Sequence, residues 1–270
     1  MNRYAIAAMA LFAVALTACG SSDSGSSSGY NDTASTASYA IEYSADAPPA
    51  MGKSSFTLKV KKAGVATPGL AVTLAPMMDM GGGMRSTADM GMTHGTPAEA
   101  VVDNGDGTYT CTLYYIMAGK WSLGVNVEGE TATFMLNVAM AGKDTAMAKL
   151  SSQTKRIMAL GGGMQPMPYF LFNEGMTGAD TFRIFIAARQ DMFTYPHIGG
   201  AHVEVSTDKA SWGAMMDHGG GHYMIGGLTG PKAGVQGSIY IRMSVDGSQC
   251  TTDGSAPNGS NDYQTFLVTP

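Results

Sequence analysis

Apolar and polar side chains alternate along much of the chain, at the period of two that a half-buried β-strand requires. Phe56-Thr57-Leu58-Lys59-Val60-Lys61 is an early run of this kind, and Leu70 to Leu74 alternates again before Pro76. Thr108 to Tyr115 places Tyr109, Cys111, Leu113 and Tyr115 on one face. Trp121, Leu123, Val125 and Val127 alternate in the run that Gly119 opens, and Thr131 to Val138 follows after Glu128-Gly129-Glu130. Asp103-Asn104-Gly105-Asp106-Gly107 is a hairpin signal, because Asn-Gly and Asp-Gly accept the positive φ of a tight turn. Tyr39 to Tyr43 reads as a strand-like lead-in. Short strands between Gly, Asn and Asp turns predict an all-β fold, with a first β-sandwich over residues 39–140.

Residues 164–270 repeat the plan more loosely and predict a second sandwich in tandem. Pro168 to Asn173, Thr181 to Ala188, His202 to Ser206, Tyr223 to Leu228, Gly237 to Val245 and Tyr263 to Val268 are strand-like. Residues 141–163 differ. Met147, Leu150, Thr154, Ile157 and Met158 fall near helical spacing, Asp144 or Thr145 can cap a start, and Gly161 can end it. That pattern predicts a linker or short helix.

The first residues read as an address. Asn2-Arg3 is a positive start, and Ala5 to Leu16 is an apolar run too short to span a bilayer. Small residues then close it, the pattern of a secretory signal over residues 1–18. Leu16-Thr17-Ala18-Cys19 resembles the bacterial lipobox. The resemblance implies cleavage before Cys19, lipid on its sulfur and new amino group, and stable anchoring by more than one acyl chain. Gly20 stands where an Asp would imply retention at the inner membrane, so the outer membrane is expected. Residues 19–38 are mostly Ser, Gly, Thr, Ala and Asp after the Cys. They predict a flexible tether with an r.m.s. reach of about 25 Å.

Composition narrows the function. Charged residues make up 14% of the chain and the net charge is -5, so no basic surface argues for nucleic acid. There are 36 glycines, which favour turns and short strands over long helices. Of the three cysteines, Cys19 belongs to the lipobox. Cys111 and Cys250 lie in an exported, oxidising setting, where they either pair and tie the halves together or stay free.

The 22 methionines carry the chemistry. Met77-Met78-Asp79-Met80-Gly81-Gly82-Gly83-Met84 is echoed by Met215-Met216-Asp217-His218-Gly219-Gly220-Gly221-His222, with six of the first seven positions alike. Met80 becomes His218, and the eighth position changes from Met84 to His222. Thioether and imidazole both bind soft and borderline metals, so the exchange keeps ligand capacity. These methionines sit beside Gly and Asp rather than in apolar runs, so core burial explains them poorly. A Met-dominated Cu(I) site is expected from Met77, Met78, Met80, Met84, Met90, Met92 and His94. A second site with more nitrogen, suited to Cu(I) or Cu(II), is expected from His197, His202, Met215, Met216, His218, His222 and Met224. Asp79 and Asp217 recur as turn formers or as partners of ligands.

Asn104-Gly105-Asp106-Gly107-Thr108-Tyr109, followed by Ala118-Gly119-Lys120-Trp121, looks like the last half of an immunoglobulin-like domain. Together with Gly69-Leu70-Ala71-Val72 and the Pro-Met loop, the stretch from Phe56 to Val138 resembles the YtkA-like and FixH-like exported domains. That resemblance implies copper handling, although this loop is longer and richer in Met than the pattern. No nucleophile elbow, phosphate loop or His-Glu-x-x-His zinc motif is present, and no enzyme activity is expected. The expectation is a copper-binding envelope lipoprotein acting as a chaperone, buffer or resistance factor, with a copper-accepting envelope protein as its partner. The other reading is a cell-envelope adhesion or protein-interaction module, with the Met loops as contact surface.

Overall fold

The computed structural model describes residues 29–79, 93–142, 144–159, 162–178 and 180–270. Its regular structure there is entirely β-strand. The first half contributes β1 (Tyr30–Ser35), β2 (Tyr39–Ala45), β3 (Gly52–Lys62), β4 (Val65–Ala66), β5 (Val72–Asp79), β6 (Thr93–His94), β7 (Val102–Asp103), β8 (Thr108–Tyr115), β9 (Gly119–Val127) and β10 (Glu130–Val138). One sheet runs β1-β2-β3-β8-β7 with β4 on β3, and the other runs β10-β9-β5-β6. Buried positions alternate along β3, β9 and β10 as the sequence pattern requires. The inner faces meet around Tyr43, Phe56, Leu58, Trp121, Leu123 and Phe134. Each such side chain taken out of water contributes about 1.5–3 kcal/mol.

The second half contributes β11 (Met147–Met158), β12 (Met164–Thr177), β13 (Thr181–Ala188), β14 (His202–Ser206), β15 (Gly213–Ala214), β16 (Met216–Asp217), β17 (His222–Ile225), β18 (Gly237–Val245), β19 (Ser248–Thr251) and β20 (Gln264–Val268). Its ladder runs β15-β14-β18-β19-β11-β12-β13-β17-β16, with β20 on β18. β19 joins the two layers by pairing with both β18 and β11. The enclosed core holds Leu150, Tyr169, Leu171, Ile184, Ile241 and Phe266. The chain thus forms two immunoglobulin-like β-sandwiches in tandem.

Three strands are buried on both faces, and they join the halves. In β8, Tyr109, Cys111, Leu113 and Tyr115 face the first core, while Thr112 and Tyr114 on the other face are also buried. In β12 and β13, Tyr169, Leu171, Ile184 and Ile186 face the second core, whereas Phe170, Phe172, Phe185 and Ala187 belong to the first. Tyr114 stacks on Phe185 with ring centroids 4.0 Å apart, and Phe172 lies 5.1 Å away. A continuous apolar run such as Tyr169–Phe172 is what a strand covered on both sides requires.

Two expectations are corrected, and the alternative left open for the cysteines is decided. Part of the anticipated tether is a strand: β1 pairs with β2 over its whole length, and Tyr30 packs edge-on against Tyr43. Backbone pairing to an existing edge supplies what its polar side chains do not. The anticipated helix is β11, in which a register shift between Ser151 and Arg156 interrupts the period of two and imitates helical spacing. Cys111 and Cys250 are free and do not pair. Alternation points each thiol into a different core, where burial pushes its pKa up to about 12. Cys19 and the signal lie outside the described residues.

Candidate metal centres

The base of the first Met loop is built by β5, β6 and β9. Met77 and Met78 end β5 opposite Ser122 and Trp121 of β9. Met78 is also opposite His94, and Asp79 opposite Thr93, so β5 ends beside the start of β6. Residues directly opposite on paired strands share a face of the sheet. Met78 is half-buried against the first core, with its Cε over Gly119, whose φ of +133° favours glycine. Met77 faces outward.

His94 is 5% exposed, and its Nδ1 is buried with no hydrogen-bond partner among the described residues. Leaving a buried polar atom unpaired costs about 1–3 kcal/mol. Burial, and next the nearby Arg189 charge, lower the His94 pKa and keep the ring neutral. With its proton on Nε2, the ring offers Nδ1 as a lone pair for a metal. Met80, Met84, Met90 and Met92 lie outside the described residues.

The second copy of the motif is used differently. Met215 is buried in the second core and Met216 is exposed, the reverse of Met77 and Met78. Asp217 is a turn former: its Oδ2 accepts from Gly200 N and its Oδ1 from Gly219 N, both at 2.7 Å. Its pKa is lowered chiefly by those two backbone bonds. His202 stands exposed on β14, 3.7 Å from Glu204, itself held by Arg242 at 2.7 Å. His197 is exposed beside Gly221. His218, His222 and Met224 do converge on one open pocket of about 350 Å³. Gly221 makes this placement feasible, because its φ is +86° and a Cβ there would meet the Ile186 carbonyl at 2.7 Å.

The pocket lies where the halves meet, and its acidic members are not in the Met/His pattern. Glu174, at the end of the two-faced part of β12, has a side chain only 6% exposed. Its Oε1 accepts from Lys53 Nζ at 2.6 Å and faces the Tyr114 hydroxyl at 2.9 Å, while its Oε2 lies 2.9 Å from His222 Nδ1. Burial alone would raise the Glu174 pKa, but the hydrogen bonds from Lys53 and His222 outweigh it and leave a net lowering. Glu99 accepts from Tyr114 and stands 3.6 Å from His222 Nε2. The Tyr114 pKa is driven up, first by burial and then by the two carboxylates. Sequence offered one clue to Glu174, a carboxylate two residues past the apolar run Tyr169–Phe172, and none to Glu99.

No family model matches the chain, and no curated protein matches it. Among solved structures it is similar to the adhesin InvE of Yersinia pseudotuberculosis at 15% identity, covering 82% of this chain and 55% of that one, with a TM-score of 0.25. It is also similar to invasin, described as a bacterial integrin-binding protein, at 14% identity, covering 90% of this chain and 41% of that one, with a TM-score of 0.27. The titin domains z1z2 in complex with telethonin match at 10% identity over 89% of this chain and 97% of theirs, with a TM-score of 0.19. The chain spans about half the length of the two bacterial proteins. The immunoglobulin-like assignment rests on the sheets described above.

Proposed function

We propose that this chain is a copper-handling protein of the bacterial envelope, held to the outer membrane by lipid on Cys19. It binds metal without catalysing a reaction, serving as a chaperone, buffer or resistance factor toward a copper-accepting envelope protein. The observation that carries this reading is His94: a buried imidazole whose Nδ1 has no partner among the described residues, opposite Met78 on the paired ends of β5 and β6. Thioether and imidazole together suit Cu(I). The test is anaerobic Cu(I) competition against a chromophoric chelator. Wild type should take up copper tightly, and the Met77→Leu, Met78→Leu, Met80→Leu triple variant and His94→Gln should each weaken it while the fold stays intact. Unchanged affinity in both would sink the assignment.

A second reading is a protein-interaction or adhesion module. It is favoured by Met158 and Met164, which lie opposite each other where β11 meets β12 and are 69% and 62% exposed. Paired exposed methionines form an adaptable contact surface. Capture of one envelope protein that Met158→Lys abolishes, with no copper retained at dialysis equilibrium, would favour it.

A further inference from the structure

We propose that the junction of the two sandwiches holds a second metal site, for a divalent transition ion of the zinc or Cu(II) kind, with His222 Nε2 and Glu99 as ligands and Glu174 as the orienting carboxylate. The site is separate from the Met78–His94 pair, uses nitrogen and oxygen donors, and does not depend on the copper reading.

The geometry is that of a carboxylate–histidine–metal arrangement. Glu174 Oε2 lies 2.9 Å from Nδ1 of His222 and places the ring proton there. Nε2, the nitrogen left to meet a metal, lies 3.6 Å from Glu99 Oε1. That separation is too long for a good hydrogen bond. Two ligands at about 2.0–2.1 Å from a tetrahedral ion stand about 3.3–3.4 Å apart, so a small closure completes the pair. One donor atom from each of Glu99, Glu174 and His222 lies within 4.8 Å of the others. A carboxylate behind a ligating imidazole fixes its tautomer and raises its basicity.

Charge and proton counts point the same way. Among the described residues, the Glu99 and Glu174 carboxylates share the pocket with one ammonium, Lys53, which bonds Glu174. The Tyr114 hydroxyl touches both carboxylates but carries one proton. One of those contacts therefore lacks a tyrosyl hydrogen, and a cation at Nε2 would offset the negative charge gathered there. Arg183 also lines the pocket, but it is exposed and solvent screens it. His218 and Met224 also line the pocket and offer further donors. Because Glu99 comes from the first sandwich and His222 from the second, the ion would fasten the two halves together.

The experiment titrates zinc chloride into the metal-stripped full-length chain in detergent, by calorimetry, with thermal melts alongside. Wild type is expected to bind one equivalent at the junction and to melt higher with zinc. His222→Gln should abolish that equivalent, Glu99→Gln should weaken it at least about tenfold, and Glu174→Gln should weaken it by about 10–100-fold. His94→Gln should leave it unchanged, which separates this site from the Met loop. Glu99 is a third exposed, so Glu99→Gln keeps the test valid even where Glu174→Gln perturbs folding. Wild-type zinc affinity in both Glu99→Gln and His222→Gln would overturn the proposal. So would an absence of zinc binding together with a lower melting point for His222→Gln, which would make the cluster a purely structural latch.

Discussion

Phe185→Ala should uncouple the two sandwiches. Phe185 is 2% exposed and sits on a strand of the second half, yet its ring stacks on Tyr114 of the first at 4.0 Å and 9°. It also stands 6.1 Å from Phe172 and 5.2 Å from His222. Truncating a buried Phe to Ala costs about 3–5 kcal/mol, and the stacked pair accounts for about 0.5–1.5 of that. For a chain of this size each kcal/mol moves the melting point by about 2–4 °C, so a fall of about 6–20 °C follows. The qualitative change is more telling. Wild type should unfold in one calorimetric transition, because the halves share Tyr114, Phe172 and Phe185; Phe185→Ala should show two. Trp121, buried in the first core, and Trp212, under Arg242 in the second half, report the halves separately by fluorescence. Phe182→Ala is the control. Its side chain is equally buried but faces only the second core, so it should lower the melting point while keeping one transition. A single transition in Phe185→Ala, shifted by less than about 2 °C, would refute the shared core.

Three further outcomes are expected. In a chain starting at Gly20, Cys111 and Cys250 should resist a thiol reagent until denaturant is added, and non-reducing electrophoresis should show no internal cross-link. Glu174 has a folded pKa below its ordinary 4.5, so its contribution is full above that value and is lost as pH falls through the folded pKa. Urea midpoints measured from pH 7 to 3 should therefore fall less steeply on the acid side in Glu174→Gln than in wild type. Gly221→Ala should cost about 1–3 kcal/mol in backbone strain and lose zinc affinity through the displaced His222, both readable in one titration and melt series.

The sandwiches were legible wherever one face of a strand meets solvent. Alternation at Phe56–Lys61 and Trp121–Val127 marks their buried faces because the other side is polar. It could not reveal that Tyr114 and Phe185 bury the second faces of β8 and β13, since an apolar residue out of phase says only that something covers it. β1 escaped because its Ser, Thr and Asn content reports low burial, whereas its stability comes from the ladder to β2. β11 escaped because its irregularity between Ser151 and Arg156 shifts the apolar positions into helical phase. At the sites, the Met/His pattern pointed to Met78 and His94, which stand opposite each other, and to His222, which lines the junction pocket. It did not show that Met215 is buried in the second core or that His202 stands exposed on β14, because a residue pattern does not fix which face each side chain takes. Glu99 and Glu174 lie 75 residues apart in number and meet only through the junction, so no local pattern announces them.

The most direct measurement for the copper assignment is X-ray absorption at the copper edge on the Cu(I)-loaded full-length chain, wild type beside His94→Gln. Sulfur scatterers with one imidazole are expected in wild type, with the imidazole signal gone and sulfur retained in the variant. A shell of nitrogen and oxygen alone, or an imidazole signal that survives His94→Gln unchanged, would contradict copper binding at the base of the Met loop.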